Sequence, residues 1–284
     1  RLGAIRVCQF TTMSCACGLF AFAAMSWPML ILSAILLGCA YGPFNPASAH
    51  VLLGLATERW RPMVFSVKQL GVPLGGMLAG VIAPALLLNV GWRSAAVALG
   101  VLALLPVLLL QPLRAQFDHG DRARPSGVGV RGSLMLALGE ARLRRYTIVA
   151  FTYAGCQVCS GTFMVVFLIE STTLSILDSG FALAVMQGAG VIGRLAWGSV
   201  AGQLIPTRVV LALIGVCSCV ALAVVSRIDA QWSYTQILLV ASALGASSLG
   251  WNGILLSQVA TLAPAGRSAD ATGGMQFVMF GGVV

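Results

Sequence analysis

Two cations and a small set of amides lie inside stretches that are otherwise oily, and theirs is the chemistry that stands out in this chain. Lys68 occupies the run Ser66-Val67-Lys68-Gln69-Leu70-Gly71-Val72-Pro73, and Arg194 lies in the cytoplasmic half of its own apolar stretch. A lysine at the middle of a hydrocarbon layer costs roughly 2.5–3.5 kcal/mol on insertion scales, and less where it snorkels. Lys68 therefore reads either as a snorkelling side chain or as a cavity cation for an anionic solute or a gating carboxylate. Asn45, Asn252, Gln157 and Tyr153 fall near the middle of their stretches. There, polar groups either bind a solute or join helices at about 0.6–2 kcal/mol each. Gln187 and Gln258 read as joining residues. His50 is a lone helical histidine, read as packed or hydrogen-bonded, with a proton site as the alternative.

Other chemistries find little support. Glu58, Glu170, Asp178, Asp229 and Asp270 all sit at or near the ends of apolar stretches or in loops, so any proton coupling through a buried acid would need an acid outside this sequence. Cys156 and Cys159 are spaced to share one helical face, but no second pair or histidine cluster completes a metal site. The eight cysteines read as small polarisable packing residues, not as the disulfide framework of a secreted domain. No nucleophile–base pair or pair of acids at one depth is visible, so neither an enzyme nor a cofactor is expected. The glycine runs Gly71-Gly75-Gly76-Gly80 and Gly188-Gly190-Gly193 lack the Lys-Ser/Thr ending of a phosphate loop. Small faces of this kind let helices approach and slide, which makes Gly75 and Gly76 candidates for a gating or structural role.

The elements that must hold these residues follow from hydropathy. Hydrophobic residues make up 58% of the chain and charged residues 9%, against about 25% charged in soluble domains, and mean hydropathy is +0.94. A bilayer core needs roughly 20 apolar residues of helix. Eight stretches meet this: 7–26, 29–55, 64–90, 93–113, 146–169, 180–203, 208–226 and 234–262, with a ninth starting after Asp270. They run without period-2 alternation, so they are helices and the fold is an all-α polytopic transmembrane bundle. Outside the stretches, every arginine except Arg93 and Arg227 falls on one side when the connections are assigned alternately. The positive-inside rule makes that side cytoplasmic, including the long polar segment 114–145. The net charge of +9 is thus topological and does not point to nucleic acid. Trp27, Trp92 and Trp232 read as anchors at the outer interface and Trp60 at the inner one.

An internal repeat supports two pseudo-symmetric halves. Gly38 to Asn45 reads GCAYGPFN and Gly245 to Asn252 reads GASSLGWN, each leading into an arginine-bearing loop. Parallel repeats about the membrane normal are a transporter architecture. The chain resembles the major facilitator superfamily. Arg1-Leu2-Gly3-Ala4-Ile5-Arg6-Val7 looks like the tail of that family's loop between helices two and three. Gly193-Arg194-Leu195-Ala196-Trp197-Gly198 through Pro206-Thr207-Arg208 resembles the counterpart between helices eight and nine, with Gly202-Gln203 in place of the common Asp-Arg pair. This motif position implies a gating or structural role for Arg194 and Gly198. Ala34 replaces the arginine that the family's fourth helix often carries before a glycine, here Gly38, and the fifth helix lacks the antiporter Gly-Pro pair. The Ser-x-Lys-Gln-x-Gly-x-Pro start is similar to a bacterial, cyanate-permease-like branch.

The resemblance implies residues 1–113 as an N-terminal half of family helices three to six, 114–145 as a cytoplasmic central loop, and 146–284 as a C-terminal half of helices seven to ten and the start of eleven. It further implies a fragment lacking the first two helices and the last. The expected protein is a monomeric inner-membrane secondary transporter. It moves a small organic solute, an anion in the Lys68 reading, by alternating access, with or without a co-transported ion. The alternatives are efflux of hydrophobic compounds and a fragment unable to transport.

Overall fold

The computed structural model describes residues 4–41, 57–112 and 129–281; Asn45 and His50 lie outside them. The order is α1 Ala4–Ala23, α2 Trp27–Tyr41, a 3-10 turn Glu58–Trp60, α3 Arg61–Lys68, α4 Gly71–Leu109, α5 Val130–Gly139, α6 Ala141–Ser171, α7 Ile176–Val200, α8 Thr207–Val225, α9 Tyr234–Ser248, α10 Asn252–Leu262 and α11 Ser268–Gly281. The described residues form an all-α bundle with one isolated bridge between Ala201 and Ile205. Among the described residues, six stretches are long and apolar enough to cross a membrane. Helix closes the backbone's hydrogen bonds within each segment, the requirement lipid imposes. Large apolar side chains point outward along the helices, with Ile192, Leu108 and Leu109 at least 70% exposed, as suits an apolar solvent.

Two of the predicted stretches are interrupted. Sequence periodicity predicts one helix over 64–90, but it is interrupted at Gln69-Leu70, between α3 and α4. Pro73 explains this: a proline has no N–H for the carbonyl four residues back, and its ring crowds that carbonyl. The residue four back is Gln69. The predicted helix over 234–262 likewise stops at Ser248 and restarts at Asn252. Within α4, Gly91 has φ +75° and ψ 161°, a conformation open to glycine, and it falls in the connection 89–93 that the sequence predicts. The polar segment 114–145 also holds a helix, α5. It packs on α11 so closely that a Cβ on Gly274 would sit 2.1 Å from the Ser133 carbonyl oxygen.

The chain divides into two compact units, residues 1–51 with 86–129 and residues 52–85 with 130–284. In the first, α1 packs on α2 through Gly18 against Leu37, and Gly100 of α4 receives the Phe20 ring. Phe22 meets Trp92 edge-on, ring centroids 5.8 Å apart. Gln9 Nε2 donates to the Val107 carbonyl at 3.0 Å and to Gln111 Oε1 at 2.8 Å. The second unit contains residues 52–85, which the repeat groups with the first half. Its apolar core is Met164, Leu168, Ala182, Met186, Ile237 and Leu244, drawn from α6, α7 and α9.

Candidate functional site at two joined helix interruptions

The two interruptions in the second unit touch. Gln69 closes α3 and its side-chain Nε2 donates to Oδ1 of Asn252, the first residue of α10, at 2.9 Å. Each interruption also frees a backbone carbonyl, and α7 supplies a donor to both. Arg194 Nη1 donates to the Gln69 carbonyl oxygen, which lacks its usual helical partner at Pro73 and otherwise accepts only a long bond from the Val72 N–H at 3.4 Å. At the other interruption, the Gly250 N–H turns to Ser247 at 3.1 Å. That bypasses Ala246, whose carbonyl accepts from Trp197 Nε1 at 2.9 Å. Arg194 and Trp197 are three residues apart on α7 and so share a face. Arg194 is fully buried; a guanidinium there is tolerable because it solvates a carbonyl dipole in place of water.

A seam of small residues lets these helices meet. Ser66 of α3 lies between α7 and α10: a Cβ on Gly198 would come within 2.6 Å of Ser66 Oγ, and one on Gly253 within 2.6 Å of Ser66 Cα. Further along, Gly76 faces Gln187, and Gly80 approaches the Gly180 carbonyl and the Ala184 backbone. As the numbers rise along α3 and α4 they fall along α7 by matching steps, so the two pack antiparallel in one register. The α7–α9 contact is tighter still. Cβ atoms on Gly193 and Gly245 would fall 2.2 Å from the Ala246 oxygen and 1.8 Å from the Met186 oxygen.

Of the residues singled out from sequence, Arg194 and Asn252 meet at Gln69, and Lys68 is its half-buried neighbour at the end of α3. Tyr153 joins from α6: its ring meets Trp251 edge-on at 5.7 Å, and its hydroxyl donates to the Leu211 carbonyl at 2.6 Å. Gln157 is one turn further along α6, and Gln187 approaches the same helix at Gly161. Among the described residues, Gln157 Oε1, Gln187 Oε1 and Trp251 Nε1 are buried with hydrogen-bonding capacity unmet. Gly76 and Gly198 line the seam, whereas no described atom lies within 4 Å of a Cβ on Gly75. Gln69 and Trp251 were not singled out. The readable signal for Gln69 was Pro73 four residues on. Trp251 had none beyond its place beside Gly250, since an indole in an apolar stretch reads as packing.

The sequence matches the family model described as Major Facilitator Superfamily over residues 1–284. The chain belongs to the major facilitator superfamily. It is therefore a membrane transporter protein by family, with the multi-pass helical architecture seen here. Among solved structures of the superfamily, it is similar to a variant of the Escherichia coli fucose:proton symporter FucP. That match has a TM-score of 0.68 and 15% identity, and covers 99% of this chain and 75% of that one. A second is FucP in the outward conformation, with a TM-score of 0.67, 17% identity, and 99% and 73% coverage. At these identities the likeness is one of fold. No curated protein matches the sequence.

Proposed function

We propose that this superfamily member carries a small polar organic solute across the membrane by alternating access, and that the joined interruptions at Gln69 and Asn252 are the contact that opens and closes. Discontinuous helices near mid-membrane are where secondary transporters place solutes and coupling ions. The carrying observation is the Gln69–Asn252 hydrogen bond, which ties α3 to α10 across two helix ends. Neutral hydrogen bonds suit a contact that must break in every cycle, because each is worth only about 0.5–1.5 kcal/mol net. The seam of Gly76, Gly80 and Gly198 supplies surfaces that slide without interlocking.

The test uses Ser66, which is fully buried against Gly198 and Gly253. In a background free of native cysteines, Ser66→Cys should react slowly with a maleimide. Adding Gln69→Ala should speed that reaction on the order of fivefold, the Boltzmann weight of one neutral hydrogen bond. An unchanged rate removes the joined interruptions as the moving contact.

The solute is proposed to be polar because Gln157, Gln187 and Trp251 carry unmet hydrogen-bonding groups. The named relative is a fucose carrier, a solute of that kind. Lys68 favours an anionic version. In proteoliposomes offered labelled organic anions and neutral sugars, Lys68→Gln should cut anion uptake about tenfold or more and spare sugar uptake. Undiminished anion uptake removes the role given to Lys68. A second reading, efflux of hydrophobic compounds, is favoured by a cavity of about 550 Å³ lined by Phe151, Phe163, Met164 and Phe167. Resistance profiling of an expressing strain separates the two.

A further inference from the structure

The second unit has another cavity, of about 600 Å³, where α6 and α8 begin and α10 ends. Three arginines line it. Arg142 and Arg145 are three residues apart on α6 and share a face, and Arg208 is the second residue of α8. All three side chains are exposed. Among the described residues no carboxylate lies within ion-pair distance of any of them. Two helix N-termini add their partial positive charge at the same end, against the single C-terminus of α10.

The lining changes character with depth. From Arg142 it follows α6 through Tyr146 and Val149 to Tyr153, roughly 16 Å at 1.5 Å per residue. On α8 it runs from Arg208 through Leu211 to Ala212. Next to the lining in sequence, Ile148 and Val209 are exposed apolar side chains. A free phosphate ion would need the three guanidiniums and nothing below them. A ligand that uses both parts has an oxyanion at one end and hydrocarbon at the other.

We propose that this cavity is a binding site for an anionic phospholipid. The headgroup phosphate is held by the forked guanidiniums of Arg142, Arg145 and Arg208, whose geometry matches phosphate oxygens bidentately, and an acyl chain lies along Val149 and Leu211. Basic pockets between transmembrane helices bind anionic headgroups by this chemistry. Its deep end shares Tyr153 with the joined interruptions, but its three arginines are no part of them, and the site does not depend on the proposed transport reading.

The experiment is native mass spectrometry of the full chain in detergent titrated with phosphatidylglycerol or phosphatidylcholine. The variants are the triple Arg142→Gln/Arg145→Gln/Arg208→Gln and a control of equal charge loss, Arg59→Gln/Arg131→Gln/Arg144→Gln. Because the lining arginines are exposed, the triple variant should fold, which its gel-filtration profile checks; the single Arg208→Gln repeats the measurement if it does not. Phosphatidylglycerol should bind the lining variant at least on the order of tenfold more weakly than the unmodified chain. The control variant and phosphatidylcholine binding should change less than about twofold. Equal weakening in both variants, no weakening in the lining variant, or equal binding of the two lipids overturns the proposal. So does displacement of phosphatidylglycerol by glycerol 3-phosphate at comparable concentration, which would identify the occupant as a soluble phosphate.

Discussion

Replacing Gly245 with alanine is expected to lower the thermal unfolding midpoint in detergent by about 6 °C. The added Cβ would stand 1.8 Å from the Met186 carbonyl oxygen, inside the contact distance of any pair of heavy atoms. Where the obstructing atom ends a flexible side chain, a rotamer change relieves such a clash. This one is backbone in the middle of α7, so α7 and α9 must separate. Separation loosens Gly193 against Ala246 and the Trp197 hydrogen bond to the same residue, because all three contacts share one line. Overpacking of this kind costs about 3 kcal/mol, and a chain of 150–250 residues loses about 2–4 °C per kcal/mol. Gly75→Ala is the control. Its Cβ meets no described atom within 4 Å, and its midpoint should stay within about 2 °C of the parent or rise slightly, since alanine restricts the unfolded chain. A Gly245→Ala midpoint that also stays there would mean the two helices do not touch at this residue.

The same contrast shows how far the sequence could be read. The bundle of membrane-crossing helices was legible because lipid enforces a coarse rule: some 20 apolar residues, no exposed backbone polarity. The family was legible from Gly193-Arg194 through Arg208 and is matched over the whole chain. Which glycines carry close contacts was not legible. Gly75 and Gly76 are adjacent and chemically identical, yet a helix turns them about 100° apart, and only Gly76 faces Gln187. The helix over 130–139 was hidden by its glycines and charged flanks, which resemble a loop until Gly274 is seen to seat against Ser133. Arg194 illustrates the remaining gap. Its motif implied a gating or structural role without naming a partner; its visible acceptor is the Gln69 carbonyl, and backbone groups are anonymous in a sequence. The one trace was Pro73, whose missing N–H names the residue four positions earlier.

That trace leads to the second large effect, a coupling between two residues on different helices. In the parent, position 73 has no N–H to offer, so the Gln69 carbonyl relies on Arg194 and on a long bond from the Val72 N–H at 3.4 Å. Arg194→Met keeps much of the apolar stem and removes the donor, so it should destabilise by roughly 1.5–3 kcal/mol, the range for a hydrogen bond to a charged group. Pro73→Ala restores an N–H four residues beyond Gln69 and removes the ring that crowds its carbonyl, allowing α3 and α4 to join into one helix. In that background the carbonyl has a helical donor, and Arg194→Met should cost measurably less, with a coupling of about 1 kcal/mol or more. Thermal midpoints of the four proteins in one detergent provide the cycle. The joined helix should also slow modification of the Ser66→Cys reporter, since the interruption at Gln69-Leu70 lets α3 move apart from α4. Costs that simply add would mean that Pro73 and Arg194 do not share the Gln69 carbonyl. The interruption would then need another cause, and the contact between the two broken helices would lose the physical basis for its ability to open.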